Sequence, residues 1–204
     1  MDKNSVVHVV DDDKAVREGI ANLVEDMGLK VETYPSAEEF LARFHPTGLD
    51  CLLLDVRMTG MSGMELLTKL SEKNYRIPTV IISGHGDIPM AVEAIEKGAV
   101  DFIEKPFGEQ ILSEKIQKAF KAAVDRENIK IERQKLIQKL SLLTDRERCV
   151  LKYFLHGDSN KEISIKLGVT IRAVSFHRAS IFKKLEITSI VELAKSVLIL
   201  DITI

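Results

Sequence analysis

The hydrophobic pattern of the first 120 or so residues alternates between two kinds of segment. Short apolar runs, too short for core helices, predict buried strands at 6–10, 29–34, 49–54, 77–82 and 100–103. Between them, apolar residues recur every three or four positions, which predicts helices such as 15–27 and 88–97. Ser36 with Glu39 forms a predicted capping box, and Ser62 is a second predicted N-cap. Five alternations predict a parallel sheet with helices on both faces.

The pattern becomes purely helical in the second part of the chain. Residues 109–140 contain no Gly or Pro, and their apolar positions thin out beyond Val124. We interpret this stretch as the last helix of the first domain continuing into an exposed helical linker. The alternative is a break near Asp125 followed by flexible coil. After Leu143, four short helices follow, capped at Thr144, at Ser159, at Thr170 and at Thr188 or Ser189.

Composition places the chain among globular proteins that work in a reducing compartment. Of its 204 residues, 45% are hydrophobic and 29% are charged, and no apolar run is long enough to span a bilayer. The first residues lack the apolar core of a signal peptide. Cys51 and Cys149 lie in apolar segments, so we expect both to pack in the interior. We therefore expect a cytoplasmic protein that does not associate with membranes.

Charge is distributed unevenly along the chain. Residues 140–204 hold ten Lys or Arg against seven Asp or Glu, a net charge of +3, which leaves −5 for residues 1–139. This asymmetry is compatible with an acidic site in the first part and a nucleic-acid module in the second.

Polar side chains follow four of the predicted strands. Asp11 and Asp12 come after the first strand and Asp55 after the third. Since the carboxyl ends of parallel strands meet at one edge, these carboxylates should lie together, where a divalent cation such as Mg²⁺ relieves their repulsion. Ser83 and Lys105 supply a hydroxyl and an ammonium group for phosphoryl oxygens. An Asp carboxylate can act as the nucleophile on phosphorus.

Each of these residues also has an ordinary interpretation when taken alone. Three adjacent Asp residues are commonly a solvated turn, and a Lys before a Pro is commonly a surface residue. The five His residues have no metal-ligand spacing, and Gly84-His85-Gly86 matches neither a dinucleotide fingerprint nor a P-loop. The combination, in order along a five-stranded unit, indicates a phosphoryl site.

These motifs resemble the receiver domain of bacterial two-component response regulators over residues 4 to about 122. The matching stretches are VVDDD, LLLDVRM, SGHGD and DFIEKPF, and residues 83–107 are particularly similar to the FixJ-type group. The resemblance implies a flavodoxin-like, doubly wound fold. It implies that Asp55 is the phosphoacceptor, that Asp11, Asp12, Asp55 and the Arg57 carbonyl hold Mg²⁺, that Ser83 and Lys105 contact the phosphoryl group, and that Phe102 is the switch aromatic.

Two positions depart from the receiver pattern. Thr59 stands where the family usually has Pro, which would loosen the loop after Asp55. Ser83 replaces the more frequent Thr, a change that removes one methyl group.

Residues 159–185 have the arrangement of a helix-turn-helix, in which the second helix enters the major groove. On charge alone, the favoured interpretation of that second helix is an ordinary amphipathic helix with a solvated basic face. Residues 142–195, however, resemble a LuxR-type DNA-binding domain, with departures at Ala173 and Ser175. The resemblance implies an all-α helix-turn-helix domain whose expected DNA-binding residues are Lys161, Thr170, Arg172, Ser175, His177, Arg178, Lys183 and Lys184.

The spacing along this helix suggests a division of roles. Arg172, Ser175 and Arg178 lie three residues apart and are expected to contact bases, while Lys161, Lys183 and Lys184 are expected to contact phosphates. His177 is expected to be a phosphate contact or a packed position. The predicted domains are a receiver at 1–122, a helical linker at 123–140 and a DNA-binding domain at 141–204.

The resemblance implies a DNA-binding response regulator of the FixJ type, and not an enzyme. A sensor histidine kinase would phosphorylate Asp55, the receivers would pair through the fourth helix and fifth strand (87–102), and the dimer would act on promoter DNA and RNA polymerase. Two alternatives remain open. One is a Mg²⁺-dependent phosphatase of the haloacid dehalogenase type, since Asp11-x-Asp13 partly matches its first motif. The other is a receiver adaptor whose tail binds protein.

Overall fold

The computed structural model describes residues 5–46, 49–73, 75, 77–84 and 88–203. The chain divides into one unit up to Arg126 and another from Glu127. The elements are β1 Val6–Val10, α1 Lys14–Asp26, β2 Lys30–Tyr34, α2 Ala37–Arg43, β3 Asp50–Asp55, α3 Gly63–Glu72, β4 Thr79–Ser83, α4 Ile88–Glu96, β5 Asp101–Glu104, α5 Glu109–Ser141, α6 Asp145–Leu155, α7 Asn160–Leu167, α8 Ile171–Leu185 and α9 Ile190–Ile199.

The first unit is built on a five-stranded parallel sheet in the order β2-β1-β3-β4-β5. Successive residues of β3 point to opposite faces and enter two separate cores. Leu52 and Leu54 pack with residues of α2, α3 and α4, whereas Cys51 and Leu53 pack with residues of α1 and α5. The predicted doubly wound fold is confirmed. Its strand order reverses between β1 and β3, so the carboxyl ends of these strands border the crevice where such sheets bind ligands.

Three details differ from the sequence predictions. The strand β3 includes Asp55, which is its last residue. Ser36 does cap α2 by accepting from the Glu39 N–H, but the Glu39 carboxylate pairs with Arg43 at 2.6 Å, so the predicted capping box is half formed. Cys51 is fully buried, and burial raises the pKa of its thiol, whereas Cys149 is exposed on α6. The prediction that Cys149 packs in the interior was therefore wrong.

A single helix, α5, occupies 33 residues without a break near Asp125. Leu112 and Ile116 at its start belong to a core of the first unit, and Leu140 near its end belongs to the core of the second. Ile129 and Ile131, in between, are exposed. The middle of α5 therefore lacks an apolar stripe that packs in either core.

The second unit is helical and surrounds one apolar core. Val150 and Leu151 of α6, Val174 and Ile181 of α8, and Leu193 of α9 are buried together. Within the described part of the chain, no helix has the length and apolar character to cross a membrane.

Candidate functional site

Two buried carboxylates share one ammonium group at the carboxyl edge of the sheet. Lys105 Nζ lies 2.8 Å from Asp11 Oδ2 and 2.7 Å from Asp55 Oδ1. Asp11 follows β1 directly, Asp55 ends β3, and Lys105 follows β5, so three strands contribute to the cluster. The carboxylates are only 1% and 7% exposed. The sequence prediction that these residues converge is therefore confirmed.

Backbone groups fix the two carboxylates further. The Arg57 N–H donates to Asp55 Oδ2 at 2.8 Å, and the Asp13 N–H donates to Asp11 Oδ1 at 2.9 Å. The start of α3 also packs tightly on the strand end, since a Cβ on Gly63 would lie 2.1 Å from the Asp55 carbonyl oxygen. Only glycine allows this approach, which places the helix directly behind Asp55.

The electrostatics of the cluster favour a cation. Burial and the nearby Asp11 raise the pKa of Asp55, although the hydrogen bond and the charge of Lys105 oppose this. Burial alone would lower the pKa of Lys105, but its bonds to Asp11 and Asp55 raise it above the ordinary value. The ammonium group therefore stays charged and compensates two carboxylates that would otherwise repel each other.

Asp12 lies apart from this pair. It is exposed, and its Oδ2 accepts two hydrogen bonds from Thr59, from the backbone N–H at 2.7 Å and from the hydroxyl at 2.9 Å. These bonds, led by the one from the Thr59 backbone, lower the pKa of Asp12. Asp12 therefore stays ionised but is held by the loop that follows β3.

The donor set suits Mg²⁺ in chemistry, because it consists of hard carboxylate oxygens. Among the described residues, however, no three His, Cys, Asp or Glu side chains are gathered as a metal site. Lys105 lies between Asp11 and Asp55, and Thr59 holds Asp12. The side chains fit the ion in kind, and the bonds from Thr59 fix the orientation of the Asp12 carboxylate.

The other predicted receiver residues lie close by. Ser83, 1% exposed, is the last residue of β4, and its carbonyl accepts from the Lys105 N–H at 2.8 Å. The peptide bond between Lys105 and Pro106 is cis. Phe102 of β5 is half-buried and packs against the core formed with α2, α3 and α4. His85 and Asp87 lie outside the described residues.

The helices α7 and α8 form the predicted helix-turn-helix. Ser159 and Glu162 make a capping box at the start of α7, and Gly168 ends that helix with a φ of +62°. Thr170 then caps α8 by accepting from the Ala173 N–H. Its hydroxyl therefore has an evident structural role. Capping signals in the sequence thus locate both helices correctly.

The predicted outward face of α8 is exposed, and one of its side chains also packs on aromatic rings. Arg172, Ser175, Arg178 and Lys183 are exposed, as expected, and the guanidinium of Arg178 lies 5.2 Å from the ring centroid of Phe154 and 5.3 Å from that of Phe182. In a helix of 3.6 residues per turn, residues three apart are offset by about 60° around the axis. Arg178 therefore lies about 120° around the helix from Arg172. Its guanidinium is on the side that contacts Phe154 of α6. This packing gives the Arg178 guanidinium a second role, and its base contact stays a prediction.

Lys184 also has a partner within its own unit. Its Nζ lies 2.7 Å from Glu147 Oε2, and Ser180 donates to Glu147 Oε1 at 2.6 Å. Burial opposes ionisation of Glu147, but Lys184, Ser180 and Thr144 together lower its pKa to about 2. These bonds fix the start of α6 to α8. The predicted role of Lys184 as a phosphate contact stays a prediction.

The remaining predicted DNA contacts vary in exposure. Lys161 is exposed on α7, and His177 is half-buried on α8. The Ser175 hydroxyl donates to the Ile171 carbonyl and accepts from the Asn160 side chain. Sequence reasoning missed Phe176, which is 72% exposed on α8. The signal for it was an aromatic residue four positions from Arg172 and outside the apolar stripe.

Two family profiles match the chain. The family described as "Response regulator receiver domain" matches residues 7–117, and "Bacterial regulatory proteins, luxR family" matches residues 141–197.

Curated proteins and solved structures agree with these matches. The response regulator protein TmoT of Ectopseudomonas mendocina is 41% identical over 95% of this chain and 88% of its own length. The transcriptional regulatory protein FixJ of Rhizobium meliloti (strain 1021) is 40% identical over 94% of both chains. The structure of the response regulator StyR superposes with a TM-score of 0.73 and 41% identity, covering 95% of this chain and 98% of that chain. These similarities favour a transcriptional regulator over the phosphatase alternative.

Proposed function

The chain belongs to the two-component response regulators that join a receiver domain to a LuxR-type DNA-binding domain, and on this premise we propose that Asp55 accepts the phosphoryl group. The chain is a transcriptional regulator rather than an enzyme with a separate substrate. The observation that carries the proposal is the Lys105 ammonium between the Asp11 and Asp55 carboxylates.

In this proposal, Asp55 attacks the phosphohistidine of a sensor kinase. A carboxylate oxygen of Asp55 bonds to phosphorus, the P–N bond breaks, and its electron pair remains on the imidazole nitrogen, which leaves an acyl phosphate on Asp55. Lys105 and the Ser83 hydroxyl, at the ends of β5 and β4, contact the transferred oxygens. The chain's catalytic contribution is limited to its own phosphorylation and dephosphorylation.

The carboxylates of Asp11, Asp12 and Asp55, with the Arg57 carbonyl, would hold Mg²⁺ in this site. When bound, the ion neutralises charge on the transferring group. Lys105 then turns from Asp11 toward the phosphoryl oxygens.

Phosphorylation is expected to change the face formed by α4 and β5. Drawing Ser83 toward the phosphoryl group frees space for Phe102 to turn inward. Ile88, Val92 and Ile95 of α4 are exposed apolar residues that a second receiver could cover. In analytical ultracentrifugation, the phosphorylated chain should dimerise at tens of micromolar (roughly the range for a weak interface), and Val92→Asp should keep it monomeric. A phosphorylated wild-type chain that stays monomeric contradicts this step.

The DNA-binding part of the proposal rests on α8. Arg172 and Ser175 lie near its amino end, where they can reach base edges, and Phe176 can contact a thymine methyl group. We propose that Lys161, His177 and Lys183 contact phosphates. We assign the receiver to 1–122, the linker to 123–140 and the DNA-binding domain to 141–204. We further propose that the chain binds promoter DNA, acts with RNA polymerase and is located in the cytoplasm.

Acid-stable, base-labile labelling tests the phosphoacceptor. The full-length chain is incubated with acetyl phosphate and Mg²⁺ and weighed by mass spectrometry. One phosphoryl group should be added to the wild type and none to Asp55→Asn. The control is Asp26→Asn, an exposed position at the end of α1, which should label as the wild type does. Labelling of Asp55→Asn at the normal rate excludes Asp55 as the acceptor.

A further inference from the structure

The loop after β3 is held on both sides by carboxylates. The Thr59 N–H and hydroxyl both donate to Asp12 Oδ2, at 2.7 and 2.9 Å. The Met61 N–H donates to Glu38 Oε1 of α2 at 2.9 Å. Gly60, between them, has a φ of +84°. These contacts fix the loop and, through it, the position of the Asp12 side chain.

Both Thr59 donors bond the same oxygen of Asp12, Oδ2, and so fix the orientation of its carboxylate. Charge-assisted hydrogen bonds are stronger than neutral ones, so turning this carboxylate toward another partner would cost both of them. Within the described residues, the ion pairs of Lys105 are with Asp11 and Asp55, and Asp12 is not gathered with them into a metal-holding group. Asp12 is thus bonded to Thr59 and does not share the ammonium group that pairs with Asp11 and Asp55.

We propose that Thr59 is a latch that holds Asp12 away from the Mg²⁺ site and thereby weakens the resting affinity for the ion. This inference rests on the proposed Mg²⁺ site. A proline, which the receiver pattern usually has at this position, has neither an N–H nor a hydroxyl to donate. The Asp12 carboxylate of such a chain would be free to turn toward Asp11 and Asp55. Thr59 is therefore a positioning residue that acts through Asp12.

Substitutions at Thr59 separate the two donors. Thr59→Ser keeps both, Thr59→Val keeps the backbone N–H and the β-branched shape but loses the hydroxyl, and Thr59→Pro loses both. Isothermal titration of the full-length chain with Mg²⁺ should give the wild-type Kd for Thr59→Ser. The Kd should fall by about threefold to tenfold in Thr59→Val and further in Thr59→Pro.

A spectroscopic measurement tests the release itself. The Thr59 amide should exchange with solvent faster, and its ¹⁵N resonance should move, when the wild-type chain is saturated with Mg²⁺, because its acceptor leaves. The Met61 amide, bonded to Glu38, is the internal control and should change less. A purely structural Thr59 would keep its protection when the ion binds.

The possible results separate a failure of the Thr59 latch from a failure of the proposed Mg²⁺ site. If the wild type binds Mg²⁺ and Asp12→Asn weakens that binding, the metal site stands. Unchanged or weaker binding in both Thr59→Val and Thr59→Pro then overturns the latch alone. A wild type that binds no Mg²⁺ in the millimolar range overturns the metal site and the latch together.

Discussion

The Lys105 ammonium donates to the Asp55 carboxylate over 2.7 Å, although the two residues lie 50 positions apart in the chain. The same ammonium reaches Asp11. One cation thus supports two buried anions, and its removal would leave both without a counter-charge.

Lys105→Met should therefore destabilise the first unit at neutral pH without Mg²⁺. We expect a loss of about 3 kcal/mol in the free energy of unfolding, since buried charges lose their partner. The pKa of Asp55 should rise further above its unfolded value, so in the range between the two values the folded state binds more protons and stability should fall as pH rises. Urea unfolding across this range gives both quantities.

The matched control for this substitution is Lys118→Met. Asp101 pairs with both Lys115 and Lys118, at 2.9 and 2.7 Å, so it keeps one partner when Lys118 is removed. The cost should be below about 1 kcal/mol. Equal losses in Lys105→Met and Lys118→Met would contradict the role assigned to Lys105.

Gly63→Ala tests the close packing behind the acceptor. The new Cβ would meet the Asp55 carbonyl oxygen, so the end of β3 or the start of α3 must move. We expect a loss of about 3 kcal/mol in stability and slower labelling of Asp55 by acetyl phosphate. Gly19→Ala in α1 is the control, because a Cβ there meets nothing within 4 Å and should stabilise the helix by about 0.5–1 kcal/mol. Unimpaired labelling of Gly63→Ala would show that the close approach is not needed.

The outward face of α8 should separate into base and phosphate contacts. Arg172→Ala should cost about 1–3 kcal/mol on the operator and relax preference at one base pair. Lys183→Ala should weaken operator and scrambled DNA equally and reduce the salt slope by roughly one unit. Titrations of both DNAs over a salt series measure these effects.

Arg178→Ala provides the comparison that the structure adds. Its guanidinium packs on Phe154 and Phe182, so its removal should lower stability by about 1 kcal/mol and leave the base preference unchanged. A selective loss of operator binding in Arg178→Ala, with none in Arg172→Ala, would show that Arg178 reads the base, as the sequence predicts.

The Glu147 cluster should make the second unit sensitive to acid. The pKa of Glu147 is about 2 in the folded chain against an ordinary 4.5, so its stabilisation is present above pH 4.5 and is lost as pH falls toward 2. We expect a loss of between about 1 and 3 kcal/mol over this window. Methyl resonances of Leu151 and Val174 report unfolding of this unit in the full-length chain.

Glu147→Gln should remove most of that pH dependence, because the amide does not titrate. The control is Glu192→Gln on the exposed side of α9, which should unfold in acid as the wild type does. If Glu147→Gln shows the same acid loss as the wild type, another group in the unit is responsible.

Sequence patterns were sufficient for the sheet and the acidic edge because both follow from order along the chain. An apolar run followed by Asp55 specifies a strand end, and parallel strands bring such ends together. The family assignment, carried by the same motifs, is confirmed by the two matching profiles. Capping residues such as Thr144 and Ser159 located the helices of the second unit for the same local reason.

Side-chain partners distant in the sequence could not be predicted in this way. Nothing local to Thr59 indicates that it bonds Asp12, 47 positions earlier, and nothing local to Lys184 indicates Glu147. The aromatic partners of Arg178 were missed for the same reason, since Phe154 lies 24 positions earlier on another helix. The prediction that Cys149 packs in the interior was wrong because a residue with apolar neighbours in the sequence can still lie on the solvent-facing side of a helix.

Because only one of its two cysteines is exposed, the native chain offers a single site for labelling with a thiol reagent. Cys51 lies fully enclosed in the sheet, with a thiol whose pKa is raised by burial, whereas Cys149 faces solvent on α6. Thiolate is the reactive species, so a maleimide dye should attach to Cys149 and spare Cys51. One fluorophore per chain, at a known position in the second unit, then becomes available without altering any residue.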